Sequence, residues 1–115
     1  MIVDDFPDNV EALSYLLEDE GATVVGVSDP RVALKAVTES HFDVLLLDLK
    51  MPWMTGHELL KASRALGVTT PAFALSADTA SEQINAASTD FARYFTKPYD
   101  IDQFLTALRD FLNES

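Results

Sequence analysis

The sequence predicts an α/β domain in which a doubly wound parallel sheet carries helices on both faces. Five short apolar runs alternate with amphipathic segments along the 115 residues, and the runs are rich in Val and Leu. Continuous runs of this kind are typical of strands buried on both faces, and strands that alternate with helices form parallel sheets. One domain is expected from this length, and 48% hydrophobic residues are enough to form its core.

The first strand is predicted at residues 1–3 and the second at residues 23–27, with a helix between them. Pro7 or Asp8 opens this helix and Gly21 ends it, because proline suits the first helical turn and glycine suits the C-terminal end. Helical spacing predicts that its inner face is formed by Val10, Leu13, Leu16 and Leu17.

The second helix opens at the Asp29-Pro30 pair, with proline at its first position. It leads to a third strand at residues 44–47. A third helix, residues 56–66, is stopped by Gly67 and precedes the fourth strand at residues 72–75. The predicted inner face of the second helix consists of Val32, Ala33, Ala36 and Val37.

The fourth helix is predicted to begin at a capping box between Thr79 and Glu82. Its apolar stripe is small, so weak packing is expected. The fifth strand is residues 94–95, and the helix after it has the clearest helical period in the chain. The stripe of the fourth helix is Ala80, Ile84 and Ala87, and that of the last helix is Ile101, Phe104, Leu105, Leu108, Phe111 and Leu112.

Composition excludes several classes of function. The net charge of −11 disfavours binding to nucleic acid phosphates or to anionic lipid, so neither is expected as a partner. The chain has no cysteine, which excludes disulfides and thiolate metal sites. No apolar run is long enough to span a bilayer, and no signal peptide pattern opens the chain. A soluble cytoplasmic protein is therefore expected.

Polar residues follow four of the predicted strands. Asp4 and Asp5 follow the first strand, Asp48 the third, Ser76 the fourth and Lys97 the fifth. Ligands of open parallel sheets bind outside the carboxyl ends of the strands. Three carboxylates, one hydroxyl and one ammonium are therefore expected at one edge of the sheet.

These residue types indicate phosphoryl transfer onto an aspartate. Three neighbouring carboxylates repel one another, and a hard divalent cation relieves that repulsion. Mg²⁺ is the natural choice, because it binds through one or two carboxylates and keeps waters that a phosphoryl oxygen can replace. An Asp carboxylate can act as a nucleophile. The metal, Lys97 and the Ser76 hydroxyl would then stabilise the phosphoryl oxygens.

Four motifs lie at the ends of the predicted strands: Val3-Asp4-Asp5, Leu47-Asp48-Leu49-Lys50-Met51-Pro52-Trp53-Met54-Thr55-Gly56, Leu75-Ser76-Ala77 and Tyr94-Phe95-Thr96-Lys97-Pro98. In these motifs the chain resembles the response-regulator receiver domains of two-component signal transduction, the CheY-like superfamily. The resemblance covers essentially the whole chain and implies one receiver domain over residues 1–115, without an output domain in this chain. It implies a (βα)5 flavodoxin-like fold with strand order 2-1-3-4-5. The first strand is shorter than is usual there, which predicts a less stable centre of the sheet.

The resemblance implies that Asp48 is the phosphoacceptor. The phosphoryl group would come from the phosphohistidine of a histidine kinase or of a histidine phosphotransfer protein. Asp4, Asp5, Asp48 and the backbone carbonyl of Lys50 would hold Mg²⁺. Lys97 would pair with the phosphoryl group, and the peptide bond that follows Lys97 would be cis. The domain would not be an enzyme in the usual sense, because it would catalyse only its own phosphorylation and dephosphorylation.

The resemblance also implies a switch. Ser76 would move to bind the phosphoryl group, and Tyr94 would swing inward in response. Together they would change the face formed by the fourth helix, the fifth strand and the last helix, where a downstream output domain or protein binds. A homodimer on activation is compatible with this scheme. Lys50 and Asp78 match positions that tune the lifetime of the phosphorylated state. Trp53 lies in the loop after Asp48 and offers a fluorescence probe.

Three other functions can be compared with this one. A degenerate receiver would act as a constitutive protein-interaction module without phosphorylation, but such domains usually lose the acidic pair, the acceptor or the lysine. An aspartyl phosphatase needs a second Asp two residues after its nucleophile, whereas position 50 is Lys. A dinucleotide-binding domain is disfavoured, because the four glycines never form the G-x-G-x-x-G pattern.

Overall fold

The computed structural model describes residues 1–76, 91–97 and 100–114. These residues contain a five-stranded parallel sheet with strand order β2-β1-β3-β4-β5. The doubly wound α/β class and the expected strand order are thereby confirmed. The strands are β1 (Ile2–Val3), β2 (Gly26–Val27), β3 (Leu45–Asp48), β4 (Ala72–Ser76) and β5 (Phe91–Thr96).

Four helices are described, and their ends follow the sequence signals. Pro7 opens α1, and the side chain of Asp29 caps α2 by accepting a hydrogen bond from the backbone N–H of Arg31 at 2.8 Å. Gly21 and Gly67 follow α1 and α3 with positive φ angles of 94° and 88°, a conformation that favours glycine. The helices are α1 (Pro7–Asp19), α2 (Pro30–Glu39), α3 (Gly56–Ala65) and α4 (Ile101–Glu114).

The predicted fourth helix, with its capping box at Thr79 and Glu82, lies outside the described residues. The same is true of Asp78 and Pro98, so the structure gives no account of the cis peptide bond after Lys97. Helix α4 (Ile101–Glu114) corresponds to the last helix predicted from the sequence.

Two apolar clusters lie on opposite faces of the sheet. Successive residues of a strand point to opposite faces, and β3 contributes Leu45 and Leu47 to one cluster and Leu46 to the other. The first cluster packs beneath α2 and α3, where Ala33 and Leu59 are buried. The second packs beneath α1 and α4, and Phe104 at its centre is fully buried. Burial on both faces fixes the register of β3, which ends at Asp48.

Burial on both faces was predicted for all five strands, and this is wrong for the two outer ones. Gly26 in β2 is exposed, and β5 has no buried residue. Both strands lie at the edges of the sheet, so each has a neighbouring strand on one side only. The bounds of these two strands also differ from the prediction. Of the predicted second strand, only Gly26–Val27 is regular strand. β5 begins earlier than predicted, at Phe91, because Phe91 pairs with Ala72 of β4.

The predicted helix faces also need correction at three positions. Val32 is 55% exposed because the buried side of α2 is centred on Ala33 and Val37, four residues apart, and Val32 is rotated away from both. Leu16 of α1 and Leu112 of α4 lie at the margins of their stripes and are also exposed. Among the described residues, no helix combines the length and apolar character that a membrane span requires.

Candidate functional site

Three carboxylates meet at the carboxyl edge of the sheet. Asp4 and Asp5 follow β1 and Asp48 is the last residue of β3, and β1 and β3 are neighbouring parallel strands. One carboxylate oxygen from each lies within 4.8 Å of the other two. Asp4 and Asp48 are buried and Asp5 is half-buried. The structure therefore brings the three predicted acidic residues into one cluster.

The ammonium group of Lys97 lies between two of these carboxylates. Its Nζ is 3.1 Å from Oδ2 of Asp4 and 3.8 Å from Oδ1 of Asp48. Lys97 follows β5 directly, and its backbone N–H donates a hydrogen bond to the carbonyl of Ser76 at the end of β4. The cluster therefore contains one positive and up to three negative charges, so an additional cation would be bound favourably.

Asp4 and Asp5 differ in how their carboxylates are satisfied. Asp4 accepts hydrogen bonds from the backbone N–H of Phe6 at 3.0 Å and from Nδ2 of Asn9 at 3.4 Å. Oδ1 of Asp5 is buried, and no hydrogen-bond partner for it is found in the described part of the chain. A buried oxygen without a donor is unfavourable. A hard cation with oxygen ligands would satisfy it, so the donor set fits such an ion.

Burial and charge together set the protonation of Asp48. Desolvation is the largest effect and raises the pKa of this carboxyl group from 3.8 to about 6. The positive charge of Lys97 lowers the pKa, and the negative charges of Asp4 and Asp5 raise it. The backbone N–H of Lys50, which donates to Oδ1 of Asp48 at 3.3 Å, lowers it. Asp48 is thus ionised only above mildly acidic pH while no metal is bound.

The segment after Asp48 turns tightly into α3. The backbone N–H of Leu49 donates to the carbonyl of Leu75 at 3.0 Å, and that of Gly56 donates to the carbonyl of Leu49 at 3.2 Å. A Cβ atom on Gly56 would lie 2.5 Å from the carbonyl oxygen of Asp48, so only glycine fits. Thr55 then caps α3 through a reciprocal capping box with Glu58.

The remaining predicted site residues are placed as follows. Ser76 is buried at the end of β4 and pairs with Thr96 of β5. The side chain of Lys50 is exposed, while its backbone faces Asp48. Tyr94 is 41% exposed on β5 and pairs with Ala74, two residues before Ser76, so its side chain is not part of the acidic cluster.

Two contacts at this edge are not predicted from the sequence. Asn9 contacts Asp4 from the first turn of α1, and its position five residues after Asp4 is the signal that could have found it. The guanidinium group of Arg31 stacks on the ring of Trp53. No periodicity or motif links these two residues, which lie on different elements.

Comparison with known proteins gives the family. A model of the response regulator receiver domain matches residues 1–109. The chain is 36% identical over 110 residues to the transcriptional regulatory protein KdpE of Mycobacterium tuberculosis, an alignment that covers 95% of this chain and 48% of KdpE. The chain therefore spans about half the length of that regulator.

Solved structures agree with this fold. The receiver domain of the Francisella response regulator 1452 superposes with a TM-score of 0.90 at 26% identity, covering 98% of this chain and 94% of that one. The receiver domain of sensor histidine kinase PA1611 from Pseudomonas aeruginosa, solved with magnesium coordinated in its active site cleft, gives a TM-score of 0.87 at 23% identity, with coverage of 97% and 94%. The chain belongs to the family of response regulator receiver domains.

Proposed function

We propose that this domain takes a phosphoryl group onto Asp48 from the phosphohistidine of a histidine kinase or of a histidine phosphotransfer protein, in a reaction that requires Mg²⁺. The observation that carries the proposal is the arrangement around Asp48, where Asp4, Asp5 and the ammonium of Lys97 converge on one buried carboxylate. In the transfer, a carboxylate oxygen of Asp48 bonds to phosphorus. The P–N bond of the donor breaks, and its electron pair stays on the imidazole, which then takes up a proton.

The metal would be held by Asp4, Asp5, Asp48 and the backbone carbonyl of Lys50. Mg²⁺ fits the all-oxygen donor set, and the uncompensated Oδ1 of Asp5 supports a cation at this position. When bound, the ion would neutralise negative charge on the phosphoryl oxygens. The PA1611 receiver domain, which contains magnesium in its cleft, supports the choice of ion.

The chain's own residues prepare Asp48 to react. The pKa of about 6 keeps the carboxylate ionised at neutral pH, and the charge of Lys97 favours that ionised form. Lys97 is held 3.1 Å from Asp4, where it would contact a phosphoryl oxygen on Asp48. The buried Ser76 hydroxyl, at the end of the neighbouring strand β4, would donate to another phosphoryl oxygen. The domain would thus catalyse only its own phosphorylation and dephosphorylation.

Phosphorylation would act on a protein-binding face. Added charge and acceptor oxygens at Asp48 would draw Ser76 toward the phosphoryl group, and Tyr94, exposed on β5, would move inward. The face predicted from the fourth helix of the sequence, β5 and α4 would then bind an output domain, another protein or a second copy of the domain. We also propose a cytoplasmic location, where the kinase partners act. Lys50 would tune the lifetime of the phosphorylated state, as would Asp78, which lies outside the described residues.

The experiment is phosphorylation by acetyl phosphate with and without Mg²⁺, followed by intact mass and by Trp53 fluorescence. We expect a mass increase of one phosphoryl group that requires Mg²⁺ and disappears in Asp48→Asn. Asp110→Asn, a matched change at an exposed position on α4, should behave as wild type. Phosphorylation that persists in Asp48→Asn would exclude Asp48 as the acceptor. A wild-type protein that neither binds Mg²⁺ nor takes up phosphoryl would instead be a degenerate receiver.

A further inference from the structure

Trp53 lies at the centre of a tight three-residue turn between β3 and α3. Its φ is 68°, and the backbone N–H of Met54 donates to the carbonyl of Pro52 at 2.8 Å. Within the described ranges, Trp53 is the only residue other than glycine with a positive φ. That conformation is unfavourable for a bulky side chain, and a turn of this hand and size is the rarer, strained γ form. Such strain persists only where neighbouring groups hold it.

Arg31 contacts the Trp53 ring from α2. Its guanidinium carbon is 4.7 Å from the ring centroid, within the range of a cation–π interaction. The same guanidinium donates to both carboxylate oxygens of Asp29, from Nε at 3.2 Å and from Nη2 at 2.9 Å. Asp29 is the N-cap of α2. The Arg31 side chain is therefore oriented by its own helix, with one planar face available to the ring.

The turn belongs to the segment that carries the candidate site. The segment is fixed at its ends by the hydrogen bonds of Leu49 and Gly56. Between them, the backbone N–H of Lys50 donates to the carboxylate of Asp48. The next residue, Met51, is buried in the core, and the turn at Trp53 follows two positions later. The turn at Trp53 and the Lys50 backbone therefore lie in one short segment, between the hydrogen bonds of Leu49 and Gly56.

We propose that Arg31 is a positioning residue for the metal and phosphoryl site. By stacking on Trp53 it stabilises the strained turn and thereby holds the Lys50 backbone against Asp48. The inference rests on the proposed function, since it concerns the same site, and it adds a residue that contacts neither the metal nor the phosphoryl group. The pair Arg31–Trp53 joins the first turn of α2 to the segment between β3 and α3.

The test uses Arg31→Ala and Arg31→Lys, with Arg109→Ala as a matched control. Arg109 is an exposed arginine on α4 that also pairs with a carboxylate, at 2.9 Å from Glu20. Two quantities are measured: hydrogen exchange of the Met54 amide by NMR, and Mg²⁺ affinity by calorimetry. We expect Arg31→Ala to accelerate Met54 exchange and to weaken Mg²⁺ binding, each by about fivefold, as the loss of one exposed cation–π contact implies.

Whether Arg31→Ala weakens or tightens Mg²⁺ binding distinguishes a positioning role of Arg31 from an effect of its charge. Removing a positive charge near an acidic cluster would by itself tighten cation binding, so weaker binding requires a change in the loop. Arg31→Lys keeps the charge but cannot make the two-pronged contact with Asp29. It should therefore change both quantities in the same direction as Arg31→Ala. Unchanged Met54 exchange, or Mg²⁺ binding that is unchanged or tighter in Arg31→Ala, would overturn the proposal.

A double-mutant cycle with Trp53→Asn tests whether Arg31 affects Mg²⁺ binding through its contact with the Trp53 ring. Asparagine tolerates positive φ but offers no ring, so Arg31→Ala should no longer weaken Mg²⁺ binding in that background. Equal weakening with and without Trp53 would show that Arg31 acts by another route. A wild-type protein that binds Mg²⁺ but takes up no phosphoryl group would refute the proposed function and leave these measurements interpretable, because neither requires phosphorylation.

Discussion

Nζ of Lys97 lies 3.1 Å from Oδ2 of Asp4, although 93 residues separate the two in the chain. The contact joins the segment after β5 to the segment after β1, across the ends of β3 and β4. It is a charge-assisted hydrogen bond to a buried carboxylate, the kind of contact whose loss leaves an uncompensated charge. Lys97 therefore has a structural role even before any phosphoryl group is present.

Lys97→Met should destabilise the metal-free protein by about 2 kcal/mol, because Asp4 and Asp48 would lose their cation in a poorly solvated site. The loss is smaller than for a fully buried pair, because one quarter of the Lys97 side chain is exposed. Urea unfolding in the presence of EDTA measures the change. Added Mg²⁺ should recover part of it, since the ion would supply the missing charge. Lys61→Met, at an exposed position on α3, is the control. Equal stability of the Lys97→Met and Lys61→Met variants would contradict a structural role.

Gly56→Ala should destabilise the protein by about 1–3 kcal/mol through overpacking against the backbone of Asp48. The new Cβ would meet the Asp48 carbonyl oxygen at 2.5 Å, and rigid backbone cannot move aside cheaply. Gly67→Ala provides the comparison, because nothing lies within 4 Å of that position and only its positive φ of 88° opposes the change. Thermal unfolding of both variants decides the matter: a smaller loss at Gly56 than at Gly67 would be inconsistent with the close approach.

Asp48 should make the stability of the metal-free protein depend on pH. Its pKa is about 6 in the folded protein against an ordinary value of 3.8, so between these values the folded state binds more protons than the unfolded state. The contribution of Asp48 to the free energy of unfolding is therefore present at low pH and is lost as pH rises through about 6. Urea unfolding in EDTA across this window should show that the free energy of unfolding falls as pH rises, and Asp48→Asn should remove this pH dependence. An identical pH dependence in the variant would mean that other groups cause it.

Thr55→Ala should cost about 1 kcal/mol, because the capping box at the start of α3 would lose its side-chain acceptor. Thr55 Oγ1 accepts from the backbone N–H of Glu58 at 3.2 Å, and the Glu58 side chain accepts from the backbone N–H of Thr55 at 3.1 Å. Thr106→Ala, at an exposed site within α4, is the matched change. Chemical denaturation compares the two, and no difference between them would argue against the cap.

The positions of the acidic residues could be predicted because they follow from one rule. Parallel strands share a carboxyl edge, so Asp4, Asp5 and Asp48 were expected at that edge once the apolar runs were assigned to strands, and the strand order implied by the resemblance put β1 beside β3. The same reasoning placed Lys97 and Ser76 at that edge. The individual contacts are a different matter. Whether Lys97 is nearer to Asp4 or to Asp48 depends on strand twist and loop path, which the pattern of residue types does not specify.

Other features depended on tertiary context. Val32 belongs to the apolar stripe predicted for α2, yet its side chain is exposed. Which residues of α2 are buried depends on how the helix packs on the sheet, and the stripe alone does not specify that packing. The left-handed backbone of Trp53 is unfavourable for a bulky side chain and could not be predicted from local preference. The Trp53 ring contacts Arg31, which lies 22 positions earlier in the chain. Conflicts of this kind between local preference and structure are expected near functional sites.

The brevity of β1 has a thermodynamic consequence. It is two residues long, yet it is the strand through which β2 is joined to β3. Asp4 and Asp5 follow this strand, and Asp48 ends its neighbour. An ion held by all three would act as a cross-link between adjacent strands where the backbone ladder is shortest. Occupancy of the site would then raise the cooperativity with which β2 and α1 unfold together with the rest of the sheet.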